Sequence, residues 1–355
     1  MKNILFFSII FFAVSSAYAD SWAEKPDIDF YAHPFVEEMN DPQKYESGKV
    51  LLENGILFAE IRGEKYPLDI YNYKVTLSGG ERVVCVIDGD RAAVMDYDRT
   101  RTLLLLVFLF AAGVIILKTV SGIRALAALF FALAAVFGIY VPAILKGVPP
   151  VGAGIFLCLI ISLVTFYAVG GRGKKSAAAL AGTVFGLISA SFVAYVFLTL
   201  IKTRGFCDEQ LQLLNYLSRK GGMLLSDVAG VFLAGIVISA SGVIMDVAIT
   251  VSSSLSAIHS ANPAITRKNL FRRGMNIGGD VIASMSGSLL FAYAGGALFL
   301  VLSRSFFTYS AGYLLNAEWF AALIAGIFSG TCGMILAVPF TSSAAAFLFT
   351  RVKQR

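Results

Sequence analysis

Two carboxylates stand where the surrounding chain has little use for charge. Asp246 lies in SGVIMDVAITVSSSL (241–255) and Asp280 in MNIGGDVIASMSGSLLFAYAGG (275–296), both in or at the edge of apolar stretches that read as bilayer-spanning helices. A carboxylate at membrane depth costs several kcal/mol unless it finds a partner, so each marks a functional site by default. Steps of three or four residues put Ser239, Gly242, Asp246, Thr250 and Ser253 on one helical face, and Asn276, Asp280, Ser284 and Gly287 on another, with Ser288 beside it. Carboxylate, hydroxyl and amide oxygens are the ligands that hard cations prefer, and a carboxylate in an apolar setting takes up a proton near neutral pH. The candidate substrate- or ion-binding set is therefore Asp246, Asp280, Asn276, Thr250, Ser253, Ser284 and Ser288. Structural roles compete with this reading. Asp280 follows Gly278-Gly279, where it would N-cap a helix starting there, and Arg272 or Arg273 would also neutralise it. Asp246 sits inside Val243–Val251 with no cap position, which leaves an interhelical hydrogen bond as its alternative, and the serines serve helix packing equally well.

The elements that would position these groups follow from composition. Of 355 residues, 57% are hydrophobic and only 15% charged, and the mean hydropathy is +0.76. Soluble domains carry about 25% charged residues, so one water-soluble core cannot absorb this chain and a polytopic helical bundle is expected. The net charge of +6 is unevenly spread. Residues 20–101 hold ten Lys and Arg against seventeen Asp and Glu, whereas 102–355 hold eighteen against six. That division predicts an acidic extramembrane domain followed by a membrane domain with basic loops, and it speaks against nucleic acid as a partner. The opening MKNILFFSIIFFAVSSAYAD has a positive start, an apolar run and the small-x-small Ala17-Tyr18-Ala19, so 1–19 reads as a signal peptide and 20–101 as exported. Over 50–97, short alternating runs broken at Asn54-Gly55, Gly63, Pro67, Gly79-Gly80 and Asp88-Gly89 predict a small antiparallel barrel or sandwich.

From 102 onward the text predicts seven transmembrane spans, near 102–119, 124–145, 150–170, 176–200, 223–251, 280–303 and 319–349. With the first span running outside to inside, twelve basic residues fall on the cytoplasmic side and six on the outer side, as the positive-inside rule requires. The N-terminal domain is then outside and the C-terminus cytoplasmic, in an inner or plasma membrane. The fifth and seventh spans are over-long for a bilayer, and Ser239-Ala240-Ser241-Gly242 and Pro339 are the expected weak points. Small residues at four-residue spacing (Ala178, Gly182, Gly186, Ala190; Gly326, Gly330) predict close helix contacts, and AGTVFG and AGIFSG would match in a three-plus-three inverted repeat. The cysteines Cys85, Cys158, Cys207 and Cys332 have no metal-site spacing, and only His33 and His259 are present, so no metal site, cofactor or catalytic motif is expected and the chain is not read as an enzyme. Cys85 and Cys207 both fall outside the membrane in this topology, as free thiols or as a pair.

The stretch GVIMDVAITVSSSL…NP…LFRRGMNIGGDVIASMSGSLLFAYAGG resembles the YibE/F family of bacterial membrane proteins. The resemblance extends upstream through VMDYDRTR (94–101), GIRAL (122–126), VPAILKG (141–147) and VGGRGKKSAAALAGTVFG (169–186), so it covers about 50–349. It implies an exported β domain ahead of about seven membrane helices, permease-like in appearance and with no assigned activity. The chain departs from the family pattern at Ala257, where an acidic residue is common, at Gly279, where an arginine often precedes the aspartate, and at Ser286-Gly287-Ser288, in place of a threonine/asparagine run. The function expected is a permease or secondary transporter for a small solute, with H⁺ or cation coupling at the aspartates. The alternative is an envelope assembly or sensing scaffold that meets an envelope protein through its exported domain.

Overall fold

Alternating apolar and polar side chains produce five strands: β1 (Tyr45–Glu53), β2 (Ile56–Ile61), β3 (Glu64–Ile70), β4 (Arg82–Asp88) and β5 (Arg91–Tyr97). The computed structural model describes residues 45–53, 56–70, 77–171, 173–202, 228–305 and 311–350. The segment 1–19 expected as a signal peptide, residues 20–44, the Asn54-Gly55 pair expected as a turn, Cys207 and the basic C-terminal residues lie outside that range. The strands close into a barrel in the order β1-β2-β3-β5-β4, antiparallel except for the parallel β3–β5 pair. Inward residues follow the period of two. Val50, Ala59, Ile61, Val83, Cys85, Ala92 and Val94 fill the interior, each between 0% and 2% exposed. Gly48 is required there, because a Cβ would stand 2.8 Å from Ile61 Cγ1. Arg62 and Gly63, with φ of 54° and 90°, make the tight β2–β3 turn. Pro67, expected as a strand breaker, instead lies inside β3 at the point where pairing with β2 ends and pairing with β5 begins. A residue without an N–H is tolerated at such a handover. Cys85 is a free thiol, and burial pushes it up to about 11.

One carboxylate joins the barrel to the first helix. Asp98 Oδ2 accepts from Ser47 Oγ at 2.5 Å and from Arg82 Nε at 3.3 Å, while its Oδ1 accepts from the Thr100 N–H at 3.0 Å. Asp98 thus ties β1 and β4 to a helix start that it also caps. The Ser47 hydroxyl first, then Thr100 and Arg82, hold its carboxyl well below the usual carboxylate range. Because the folded pKa is depressed, this contribution is complete above the unfolded value near 4 and is lost as the pH falls below that value towards the folded one. Asp98→Ala should weaken the junction by about 1 kcal/mol, as loss of a helix cap does. Faster hydrogen exchange at Thr100 and in β1 of the full-length variant at pH 7, with the difference shrinking in acid, is the expected result.

Seven helices are long and apolar enough to cross a membrane. They are α1 (Thr100–Leu117), α2 (Thr119–Leu145), α3 (Pro150–Gly170), α4 (Lys174–Leu200), α5 (Val228–Ala261), α6 (Arg267–Ser305) and α7 (Glu318–Thr350). A six-residue helix, Ala311–Asn316, precedes α7. The chain divides into two compact units between Val107 and Phe108. Thr119, at φ 35° and ψ −114°, breaks α1 from α2, and α2 contains a π-helical stretch at Val136–Tyr140. These are the discontinuities of the bundle. The expected weak points are continuous helix: α5 runs through Ser239–Gly242, where the Ser239 and Ser241 hydroxyls bond back to the Gly235 and Ile238 carbonyls, and α7 runs through Pro339.

α7 is the hub, packing on α4, α5 and α6. On the α4 side the contact between α4 and α7 is made by small residues picked out in the sequence, Gly182, Gly186 and Ala190. On α7 it uses Gly333, Ala337 and Thr341, while the expected Gly326 and Gly330 face Tyr293, Leu289 and Ala240 of α6 and α5. A Cβ on Gly186 would stand 2.9 Å from the Gly333 carbonyl oxygen and 3.1 Å from Ala337 Cβ; one on Gly333 would stand 3.0 Å from both the Gly186 carbonyl oxygen and Ala190 Cβ. The contact is reciprocal, as an inverted repeat would make it, and stacked Phe185 and Phe340 flank it at 3.7 Å. The symmetry does not extend further. α5 packs on α3, α4, α6 and α7, whereas α2, its counterpart, meets α3 through its π-helical stretch and has no comparable set of neighbours.

Candidate functional site

The site is carried by α5 and α6, and their relative register can be read from shared neighbours on α7. Gly330 approaches both Ala240 of α5 and Leu289 of α6, and Gly274 of α6 lies against Leu255 of α5. Both pairs fit one antiparallel register, which sets Asp246 level with Ala283-Ser284 and Asp280 level with Ile249-Thr250. The carboxylates therefore differ in depth by three residues, about 4.5 Å at 1.5 Å per residue.

Their environments overturn the competing structural roles. α6 begins at Arg267, thirteen residues before Asp280, so Asp280 is in mid-helix and caps nothing. Among the described residues, neither Asp280 nor Asp246 makes an ion pair or a hydrogen bond; Arg272 and Arg273 leave Asp280 unpaired, and Asp246 has no interhelical bond. Both side chains are exposed, as are Ser239, Gly242 and Thr250 on α5 and Asn276, Ser284 and Ser288 on α6. Ser253 and Gly287 are half-buried at the edges of these stripes. The opposite face of α5 carries Ile244, Val247, Val251 and Leu255, all at 0% exposure, so hydrophobic packing fixes which way Asp246 points. A Cβ built on Gly235, Gly242, Gly279 or Gly287 would meet nothing within 4 Å, so the polar stripes border open space.

Sequence reasoning left one part of the site out of the binding set. Ser239, Ala292, Tyr293, Gly296, Ala297 and Leu323 line a groove where α5, α6 and α7 meet, at the end of the α5 stripe away from Thr250. The buried Tyr293 hydroxyl lies beside the Ser239 hydroxyl, which donates to the Gly235 carbonyl. The signal was present in the sequence, since Ser239 shares the Asp246 face and Tyr293 precedes Gly295-Gly296 on the next span, but nothing there placed Leu323 of α7 against them.

No group of three or more His, Cys, Asp or Glu able to hold a metal occurs among the described residues. The oxygen set here is two carboxylates with hydroxyls and an amide, which suits a proton or a weakly held hard cation better than a tightly bound transition metal.

Seven membrane-length helices among the described residues, following a five-stranded barrel in the sequence and with unpaired acids on two of them, mark a multi-pass membrane protein. The family model for YibE/F-like proteins matches residues 106–351, and the chain belongs to that family. Among curated proteins and among solved structures, none matches the chain.

Proposed function

We propose that this chain is a permease or secondary transporter of an inner or plasma membrane that moves a small solute, with H⁺ or a cation coupled through Asp246 and Asp280. The reading rests on one observation: two carboxylates at nearly the same depth on adjacent helices, neither with a protein partner. A carboxylate that serves structure is held by a donor, whereas one that loads and unloads a cation must be left free to do so. Asn276, Thr250, Ser253, Ser284 and Ser288 supply neighbouring oxygens, and the Ser239–Tyr293 groove continues the polar stripe towards the opposite end of α5. In this reading the barrel is exported and the C-terminus is cytoplasmic, as the distribution of basic residues favours.

The test is reconstitution of the wild-type protein into vesicles with an imposed pH or cation gradient. Gradient-driven solute flux, or a counter-movement of protons when solute is added, is the expected result. Vesicles in which no gradient drives any flux, together with no ion between α5 and α6 by anomalous scattering, would overturn it.

The scaffold reading draws support from the barrel, which has a core of its own and exposes Leu52 and Ile56, each 58% accessible, at the β1–β2 end. Deleting residues 20–98 separates the two. A scaffold loses its function entirely, whereas a transporter keeps gradient-linked flux through the helices that remain.

A further inference from the structure

One end of the helical bundle collects positive charge with no counter-ion. Contacts between helices define that end. The Ser252 hydroxyl of α5 donates to the Lys175 carbonyl at the start of α4 at 2.7 Å, and the His259 ring in the last turn of α5 stacks on Phe349 near the end of α7 at 6.1 Å. The Arg267 guanidinium at the start of α6 lies 4.6 Å above the Phe347 ring of α7. The start of α4, the end of α5, the start of α6 and the end of α7 therefore lie together. They bring Lys174, Lys175, Arg267, Lys268, Arg272 and Arg273, and α7 leads in sequence to Arg351, Lys353 and Arg355.

The first two turns of α6 are the densest part. Arg267, Lys268, Arg272 and Arg273 are all exposed, and none makes an ion pair among the described residues. Helix electrostatics disfavours this placement. Cations at a helix N-terminus oppose the macrodipole, and the first turn of α6 has no acidic residue to offset them. Thr266 caps the helix with a single weak bond, Asn269 N–H to Thr266 Oγ1 at 3.3 Å. Four unpaired cations on a positive helix end form an anion site by charge alone.

The depth of the cluster says which anion. α6 has 39 residues, about 58 Å of helix against an apolar layer of about 30 Å. With α7 centred in that layer, Phe347 stands thirteen residues from its middle, about 20 Å from the midplane and at headgroup level, and the Arg267 guanidinium over its ring lies at the same depth.

We infer that Arg267, Lys268, Arg272 and Arg273 form a binding site for the phosphate headgroup of an anionic phospholipid. Recognition is electrostatic, with Lys268 and Arg272, four residues apart on one face of α6, gripping phosphate oxygens, Arg267 and Arg273 flanking them, and the acyl chains lying along α6, few of whose residues are buried. The site is independent of the transport reading and stands if that reading fails.

Positive charge that serves only to orient the chain during insertion would show no lipid preference once the protein is purified. The test uses the full-length protein in neutral detergent, with phosphatidylglycerol or phosphatidylcholine added and bound lipid counted by native mass spectrometry. The wild type should retain phosphatidylglycerol over phosphatidylcholine by on the order of tenfold or more, and the preference should fall as salt is raised. Arg272→Gln/Arg273→Gln should remove most of it, and Lys174→Gln/Lys175→Gln should leave it. Should the double variant not fold, Arg267→Gln should still reduce retention, and the wild-type lipid and salt arms need no variant. Equal retention of the two lipids, or an unchanged preference in the Arg272/Arg273 variant, would sink the assignment. Displacement of the lipid by inorganic phosphate, with phosphate alone protecting the protein equally well, would reassign the site to a soluble anion and also overturn it.

Discussion

Asp246→Asn should abolish cation- or proton-linked flux in reconstituted vesicles while leaving expression and thermal stability at wild-type levels. The amide matches the carboxylate in size, and Asp246 makes no hydrogen bond or ion pair that the substitution would break. Its neighbours on the buried face, Val247 and Ile244, are untouched. What disappears is the charge. An interaction with a charged group contributes about 1.5–3 kcal/mol, so cation affinity or coupled flux should fall by roughly 10- to 100-fold. Asp280→Asn should act in the same direction, and the double variant should lose little more than either single one if both acids hold one ion. Undiminished coupled flux in Asp246→Asn would remove the aspartate from the mechanism. Loss of protein, instead of loss of flux, would mean that the side chain serves folding.

The largest effect on stability is expected at Gly182. A methyl group there would overlap the Thr341 hydroxyl and stand 2.8 Å from the Ala337 carbonyl oxygen. Thr341 is fully buried, and the second obstacle is backbone, so neither can yield without separating α4 from α7. Overpacking of a tight core costs about 1–3 kcal/mol, and Gly182→Ala should fall at the upper end of that range. Gly235→Ala on α5 is the control, since its Cβ would meet nothing within 4 Å and alanine favours the helix by up to about 1 kcal/mol. Thermal unfolding of the two variants in detergent should therefore move in opposite directions. A Gly182→Ala protein as stable as the wild type would show that the α4–α7 contact is looser than described.

The sequence made some of this legible and concealed the rest for identifiable reasons. Alternation over 50–97 was enough for a small barrel or sandwich, because inward Val83 and Cys85, then Ala92 and Val94, keep the period of two. Hydropathy located all seven helices. The start of α6 was misplaced because RKNLFRRGMNIGG is polar and ends in two glycines, each costing about 1 kcal/mol in a helix. Tertiary packing decides otherwise. A Cβ on Gly278 would overlap Val338, so glycine is what lets α6 approach α7 there. Asp280 consequently moved from a cap to the middle of a helix, which changes its chemical meaning. The break at Thr119 was legible as well, because Lys118, Ser121, Gly122 and Arg124 interrupt the apolar run where the first span was expected to end. The central position of α7 was hidden, because α2, with higher hydropathy, is far less covered.

The seam between α4 and α7 constrains any working cycle of the protein. Two backbones in contact through glycine, with Ile244 of α5 wedged against both Gly186 and Gly333, leave nothing to rotate and nowhere to slide. Those three helices act as a stationary frame. α6 is different: 11% of its most apolar 18-residue stretch is buried against 56% for α5 and α7, and it carries one of the two acids. If the protein is the transporter proposed above, rocking of that single rod would widen or narrow the spacing between the two negative charges and so exchange loading for release.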